Sequence, residues 1–210
     1  MAQMHCNFFS YSLGYPVDIE VTLPSFTSCN LHLPHTHALP GKFPVLYLLH
    51  GHGNDYQAWL RYTSAERYAE EYRMAVVTFS CHNKAYQNAP LGENFYDFLN
   101  EELPEFVENY FPVSDKSEER YIAGLSMGGY GALLHGLTNP GKYRAIGAFS
   151  PGIPAENADP DLNRIARFNL FDVTCKALAS GEKLPDLFMC IGDGDFLYER
   201  VTSYRKAFLD

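Results

Sequence analysis

The stretch Tyr121-Ile-Ala-Gly-Leu-Ser126-Met-Gly-Gly-Tyr130-Gly-Ala-Leu-Leu-His135 decides the fold. A β-rich run leads in as far as Gly124, and a run of helical composition leads out from Met127. The chain must therefore turn from strand to helix within about one residue, at Ser126. Such a turn forces the serine into a strained backbone conformation. Only small residues two places before and two places after allow the close approach, and Gly124 and Gly128 occupy those places. The spacing Gly-x-Ser-x-Gly lifts the Ser126 hydroxyl above a sheet at the start of a helix. Free N–H groups and the helix dipole there favour a developing negative charge. An ordinary Gly-rich turn needs neither the strand before nor the helix after.

Working outward, Pro44-Val-Leu-Tyr-Leu-Leu-His50 is a continuous apolar run bounded by Pro and Gly, the pattern of a strand buried on both faces in a parallel sheet. Further strands are expected at His5–Tyr11, Val17–Leu23, Ala75–Phe79, Arg120–Leu125, Ala145–Phe149 and Leu187–Ile191. Helical spacing covers Ser64–Tyr72, Phe95–Phe111, Met127–Leu137, Phe171–Ala179 and Tyr198–Leu209. Pro104 should break or kink the second of these helices. Asn30–Lys42 carries Pro34 and Pro40 and reads as a loop with a short extended piece. Buried strands alternating with helices give an α/β class with a mostly parallel, doubly wound sheet.

His50-Gly51-His52-Gly53-Asn54 follows directly on the strand Val45–Leu49. Gly lets the backbone turn so that the next amide, that of His52, points toward the serine, where it pairs with the amide of Met127 as an oxyanion hole. Two histidines alternating with glycine make a poor metal cage, and no metal is expected there. His32-x-x-His35-x-His37 looks metal-like, but Pro34 and the loop setting favour a polar surface turn. A carboxylate to orient a histidine should follow a later strand, and Gly192-Asp193-Gly194-Asp195 offers two. Asp195, deeper in the loop, is preferred over Asp193; a turn residue capping the helix at Tyr198 is the competing role. The order Ser, acid, His then requires a histidine after Asp195, and residues 196–210 contain none. His5, His32, His35, His37, His50, His52, His82 and His135 all lie upstream. His135 is about 13 Å along its helix from the serine.

The ordered set resembles the esterase D / S-formylglutathione hydrolase-like branch of the α/β-hydrolases, and most closely its bacterial tributyrin esterases. The matching pieces are Leu-Leu-His50-Gly51-x-Gly53-Asn54 with Trp59 soon after, Glu101-Glu102-Leu103-Pro104, Gly124-Leu-Ser-Met-Gly-Gly-Tyr-Gly131 and Gly192-x-x-Asp195-Phe-Leu-Tyr198. The resemblance implies an α/β-hydrolase fold with Ser126 as nucleophile, Asp195 as triad acid and the His52 and Met127 amides as oxyanion donors. It also implies that Pro104 is tolerated within or between helices. Family members continue through another strand and carry the catalytic histidine in the loop after it. The expectation is thus one α/β-hydrolase domain over residues 1–210, short of its C-terminal strand and helix, with the base beyond residue 210 and hydrolysis impaired. A complete, non-catalytic binding protein is the alternative, opposed by the intact elbow.

The implied activity is hydrolysis of short-chain acyl esters, or of S-formylglutathione-type thioesters, with no cofactor and no metal. Tyr86 and Trp59 are candidates to line the acyl pocket, with simple packing as the other role. Sixteen basic and 25 acidic residues give a net charge of −9, which argues against nucleic acid and anionic membranes as partners. No apolar stretch is long enough to span a bilayer. Five cysteines without a CxxC spacing fit reduced thiols in the cytoplasm. The partner expected is a small-molecule ester, and homo-oligomerisation stays open.

Overall fold

The computed structural model describes residues 1–90, 92–154, 168–206 and 208. Strand β1 (Ala2–Ser10) and β2 (Tyr15–Leu23) form an antiparallel hairpin. The parallel part consists of β3 (Val45–Leu49), β4 (Ala75–Phe79) and, after a small β5/β6 hairpin (Asn88–Ala89, Gly92–Asn94), β7 (Arg120–Leu125), β8 (Ala145–Phe149) and β9 (Asp186–Cys190). The seven-stranded sheet runs β1-β2-β4-β3-β7-β8-β9, with β2 antiparallel to β4 and every pair beyond β4 parallel. β1 begins earlier than its alternation suggests, because Ala2 pairs with Leu23.

Helices cover both faces. On one, α1 (Ala58–Tyr62) and α2 (Ala65–Glu71) close a small cluster of Leu48, Ala69, Val76 and Ala123, with Trp59 and Phe149 packed against it. On the other, α5 (Met127–Thr138) is buried from Met127 to Leu137. It packs in the main core with Val45, Tyr47, Leu49, Ile122, Ile146 and Ala148. α6 (Leu170–Ala179) lies beside α5, and α7 (Tyr198–Lys206) docks on α6, where Thr174 Oγ1 and Tyr204 Oη share a 2.6 Å hydrogen bond. The last residues of the helix expected over Tyr198–Leu209 fall in part outside the described residues.

Pro104 does not end the long helix. α3 (Phe95–Asp97) passes through a π-helical stretch at Phe98–Glu102 into α4 (Leu103–Tyr110), with Pro104 in its first turn, where its missing N–H is tolerated. Four residues back, the Asn100 carbonyl has no N–H to receive from Pro104, and Lys142 Nζ donates to it instead. The same stretch ties the hairpin down. Glu102, buried, accepts from Ser10 Oγ (2.7 Å) and from the N–H groups of Tyr11 (2.8 Å) and Ser12 (2.9 Å). In the segment 30–42 the expected extended piece does not form; a 3-10 turn at Ser28–Asn30 comes before it, and a single bridge from Phe43 to Val113 follows.

Candidate active site

Register brings the chemistry together. Leu49 of β3 pairs with Gly124 of β7, and Leu125 with Phe149 of β8. The loops that follow these strands therefore open side by side at the carboxyl edge of the sheet, where open α/β sheets bind ligands. Ser126 stands there with φ 55° and ψ −113°, in the strained turn that the Gly-x-Ser-x-Gly spacing demands. Three backbone hydrogen bonds hold it: its N–H donates to the Phe149 carbonyl (2.9 Å), and its carbonyl accepts from Tyr130 N–H (3.0 Å) and Gly152 N–H (2.8 Å). A methyl group at Gly124 would lie 2.4 Å from the Gly128 backbone, and one at Gly128 would lie 2.2 Å from the Leu49 carbonyl oxygen. Gly124 is thus required by the strand-to-helix contact within the elbow and Gly128 by the contact between the elbow and β3.

The second loop lies against the first, since a Cβ built on Gly51 would sit 3.7 Å from Ser126 Cβ. His50 is buried and aims this loop. Its Nε2 receives the Cys81 N–H at 3.0 Å, so the ring proton sits on Nδ1 and is donated to the Gly51 carbonyl at 2.8 Å. Burial lowers the His50 pKa and keeps the ring neutral. In a trans peptide the N–H points opposite to the C=O. Holding the Gly51 carbonyl therefore fixes the direction of the His52 N–H. Among the described residues neither the His52 nor the Met127 N–H has an acceptor. The arrangement offers two amide donors and a raised serine hydroxyl without a hydrogen-bond partner among those residues.

The other candidates divide. Asp195 is half-buried in the turn after β9, and its carboxylate accepts from Leu197 N–H at 2.9 Å, the capping role weighed against the triad role; a carboxylate has room for both. Asp193 is exposed. His135 is fully buried and donates from Nε2 to the Tyr86 carbonyl at 2.8 Å, away from any surface loop. His5 faces Asp18 and Glu20 on the hairpin, and His32, His35 and His37 are exposed. No group of three or more metal-ligating side chains occurs among the described residues.

Tyr86 does not line a pocket. It is fully buried, because its hydroxyl donates to the His50 carbonyl at 2.9 Å and so belongs to the scaffold of the loop. Trp59 likewise spends its indole N–H on the Leu49 carbonyl (2.8 Å) and packs edge-on against Phe149. Cys6, Cys81, Cys175 and Cys190 form no disulfide, and burial pushes the Cys81 thiol up to about 11. The contribution of Asn83, whose Oδ1 accepts from Gly53 N–H at 2.7 Å, has no motif in the sequence to announce it.

Against this geometry, comparisons with known proteins agree. The model of the Esterase family matches residues 21–167. An acetyl esterase of Caldicellulosiruptor saccharolyticus is 29% identical over 226 residues, spanning 95% of this chain and 83% of its own. The fluorophosphonate-binding serine hydrolase FphF of Staphylococcus aureus, solved with substrate bound, superposes with a TM-score of 0.84 at 29% identity, covering 98% of this chain and 84% of that one. The S-formylglutathione hydrolase FrmB of the same organism gives 0.82 at 29% identity, covering 98% and 85%. The sheet order, the elbow and these likenesses carry one conclusion: the chain has the α/β-hydrolase fold and belongs to the Esterase family.

Proposed function

We propose that this chain is a serine carboxylesterase for small, short-chain acyl esters. The observation that carries the reading is the strained Ser126 turn set beside two amides without acceptors among the described residues. Ser126 Oγ attacks the ester carbonyl, its proton passes to a histidine, and the carbonyl oxygen gains negative charge between the His52 and Met127 N–H groups. Collapse expels the alcohol, which takes the proton, and leaves an acyl group on Ser126. Water then repeats the sequence and releases the acid. Asp195 orients the histidine and stabilises its cation. Neither metal nor cofactor enters any step.

The base is assigned to a histidine outside residues 1–210. Two observations support this: His50 is buried with both ring nitrogens committed and His135 is fully buried with Nε2 on the Tyr86 carbonyl, and the order Ser, acid, His places the base after Asp195. The same reading makes residues 1–210 a single domain short of a C-terminal strand and helix. The free edge of β9 and the exposed Phe188 on it suit such an addition. A cytoplasmic setting fits the unpaired thiols, and no helix among the described residues is long and apolar enough to cross a membrane.

The test is hydrolysis of p-nitrophenyl butyrate by residues 1–210 and by a C-terminally extended chain. The extended chain should hydrolyse it at enzymatic rates that Ser126→Ala abolishes. The shorter one should retain only the roughly 10³–10⁴-fold advantage over water that oxyanion hole and binding supply. Full activity in residues 1–210 would place the base among the upstream histidines and refute the assignment. S-formylglutathione is the second substrate to run, because FrmB covers this chain as fully as the oxygen-ester relatives do.

A further inference from the structure

The turn that follows β4 is the most strained segment of the described chain. His82, Asn83, Ala85 and Tyr86 have φ of 46°, 60°, 52° and 59°, in the left-handed region that residues other than Gly seldom occupy. Asn tolerates that region; Ala, Tyr and His do so at a cost of about 1 kcal/mol or more each. Within the turn, Lys84 N–H donates to the Cys81 carbonyl (2.9 Å), Gln87 N–H to that of Lys84 (3.2 Å), and the Cys81 sulfur receives backbone N–H groups of Asn83, Lys84 and Tyr86. Outside itself, the turn hydrogen-bonds chiefly to the loop after β3. Ser80 Oγ accepts from Tyr56 N–H (3.0 Å), Cys81 N–H donates to His50 Nε2 (3.0 Å), Asn83 Oδ1 accepts from Gly53 N–H (2.7 Å) and Tyr86 Oη donates to the His50 carbonyl (2.9 Å). From behind, His135 Nε2 donates to the Tyr86 carbonyl (2.8 Å), which ties the turn to α5.

These contacts bracket a single residue. Gly51, before His52, has its carbonyl held by His50 and by Asn54 N–H (3.2 Å). Gly53, after it, has its N–H held by Asn83. Both peptide planes that flank His52 are thus pinned. Gly51 and Gly53 are the two residues of the loop freest to rotate, and Gly53 sits at φ 77°. We infer that the 80–86 turn is a brace that aims the His52 N–H at the oxyanion, and that Asn83 is its positioning residue. The strain stays in the turn because the left-handed backbone is what presents Asn83 Oδ1 and Tyr86 Oη to the same loop. The hydrogen bond of Asn83 goes to the Gly53 N–H and not to Ser126 or to the His52 amide itself. Its effect runs through Gly53, so its loss should lower transition-state stabilisation and leave substrate binding alone.

The inference rests on the esterase reading only for its kinetic part, and two variants separate the hydrogen bond from the backbone. Asn83→Gly keeps the left-handed conformation and removes the acceptor; Asn83→Asp keeps both. Amide hydrogen exchange across residues 50–56 should accelerate about five- to tenfold in Asn83→Gly, as loss of one hydrogen bond implies, and stay at the wild-type rate in Asn83→Asp. Wild-type exchange in Asn83→Gly overturns the brace. In a chain that hydrolyses p-nitrophenyl butyrate, Asn83→Gly should lower kcat about tenfold with KM within about twofold. An unchanged kcat, or a rise in KM alone, also overturns it. If Ser126→Ala leaves hydrolysis intact, the esterase reading fails, and the exchange rates alone decide the brace.

Discussion

At Gly128 a methyl group would fall 2.2 Å from the Leu49 carbonyl oxygen, and both partners are backbone, so neither can step aside. Gly128→Ala should therefore cost about 3 kcal/mol or more, or displace the elbow from β3; denaturant unfolding and hydrolysis rate read the two outcomes. At His52 the proposed role belongs to the amide, and the imidazole is exposed. His52→Ala should keep kcat for p-nitrophenyl butyrate within about twofold, whereas loss of an oxyanion donor costs about 10²–10³-fold. A large drop in His52→Ala would give the ring a role and remove the amide assignment. Ser126, Gly124 and Gly128 are legible in the sequence because a close backbone approach restricts residue type. Asn83 is not legible, because any polar side chain can sit in a loop and its partner Gly53 is thirty residues away.

Elements were readable where burial imposes a pattern. β3 and, apart from Thr78, β4 are apolar because helices cover both of their faces, and the elbow helix shows small residues where it meets β3 and β8. The short α1, the β5/β6 hairpin and the π-helical turn carry no period and leave no trace. Pro104 marks the limit of local rules: the expected break is absent because Lys142, from the loop before β8, supplies the hydrogen bond that proline withholds. Glu102 is a similar long-range device. Its carboxylate closes the β1/β2 turn, so Glu102→Ala strands Ser10 Oγ and two N–H groups in a buried place. A loss of about 3 kcal/mol in urea unfolding is expected, with Glu102→Gln intermediate.

For the molecule as a whole, net charge of −9 and unpaired thiols describe a surface and a chemistry of partners, not a shape. Its acid sensitivity is set from inside. Burial pushes the His135 pKa down to about 4, against about 6.5 in an unfolded chain, and lowers that of His50 as well. Above pH of about 6.5 these rings are neutral in both states and add no pH dependence. Between there and about 4 the unfolded chain binds protons that the fold excludes, so stability declines, by about 3 kcal/mol for His135. His135→Gln retains an N–H for the Tyr86 carbonyl and cannot take up that proton. Urea midpoints at pH 7 and 4.5 should therefore lie closer together in His135→Gln than in the wild type. An equal separation would show that another group carries the acid sensitivity.

The burial of α5 from end to end has a consequence for how the protein loses activity. Ser126 caps the start of a helix buried along Met127–Leu137, so the serine cannot wander unless the sheet itself comes apart. The His52 amide proposed as an oxyanion donor, by contrast, is aimed by side-chain hydrogen bonds from His50 and Asn83. Mild denaturant should then silence turnover by letting that loop loosen, well before far-ultraviolet ellipticity reports any melting. The serine itself would keep its place until the cooperative collapse of the whole sheet.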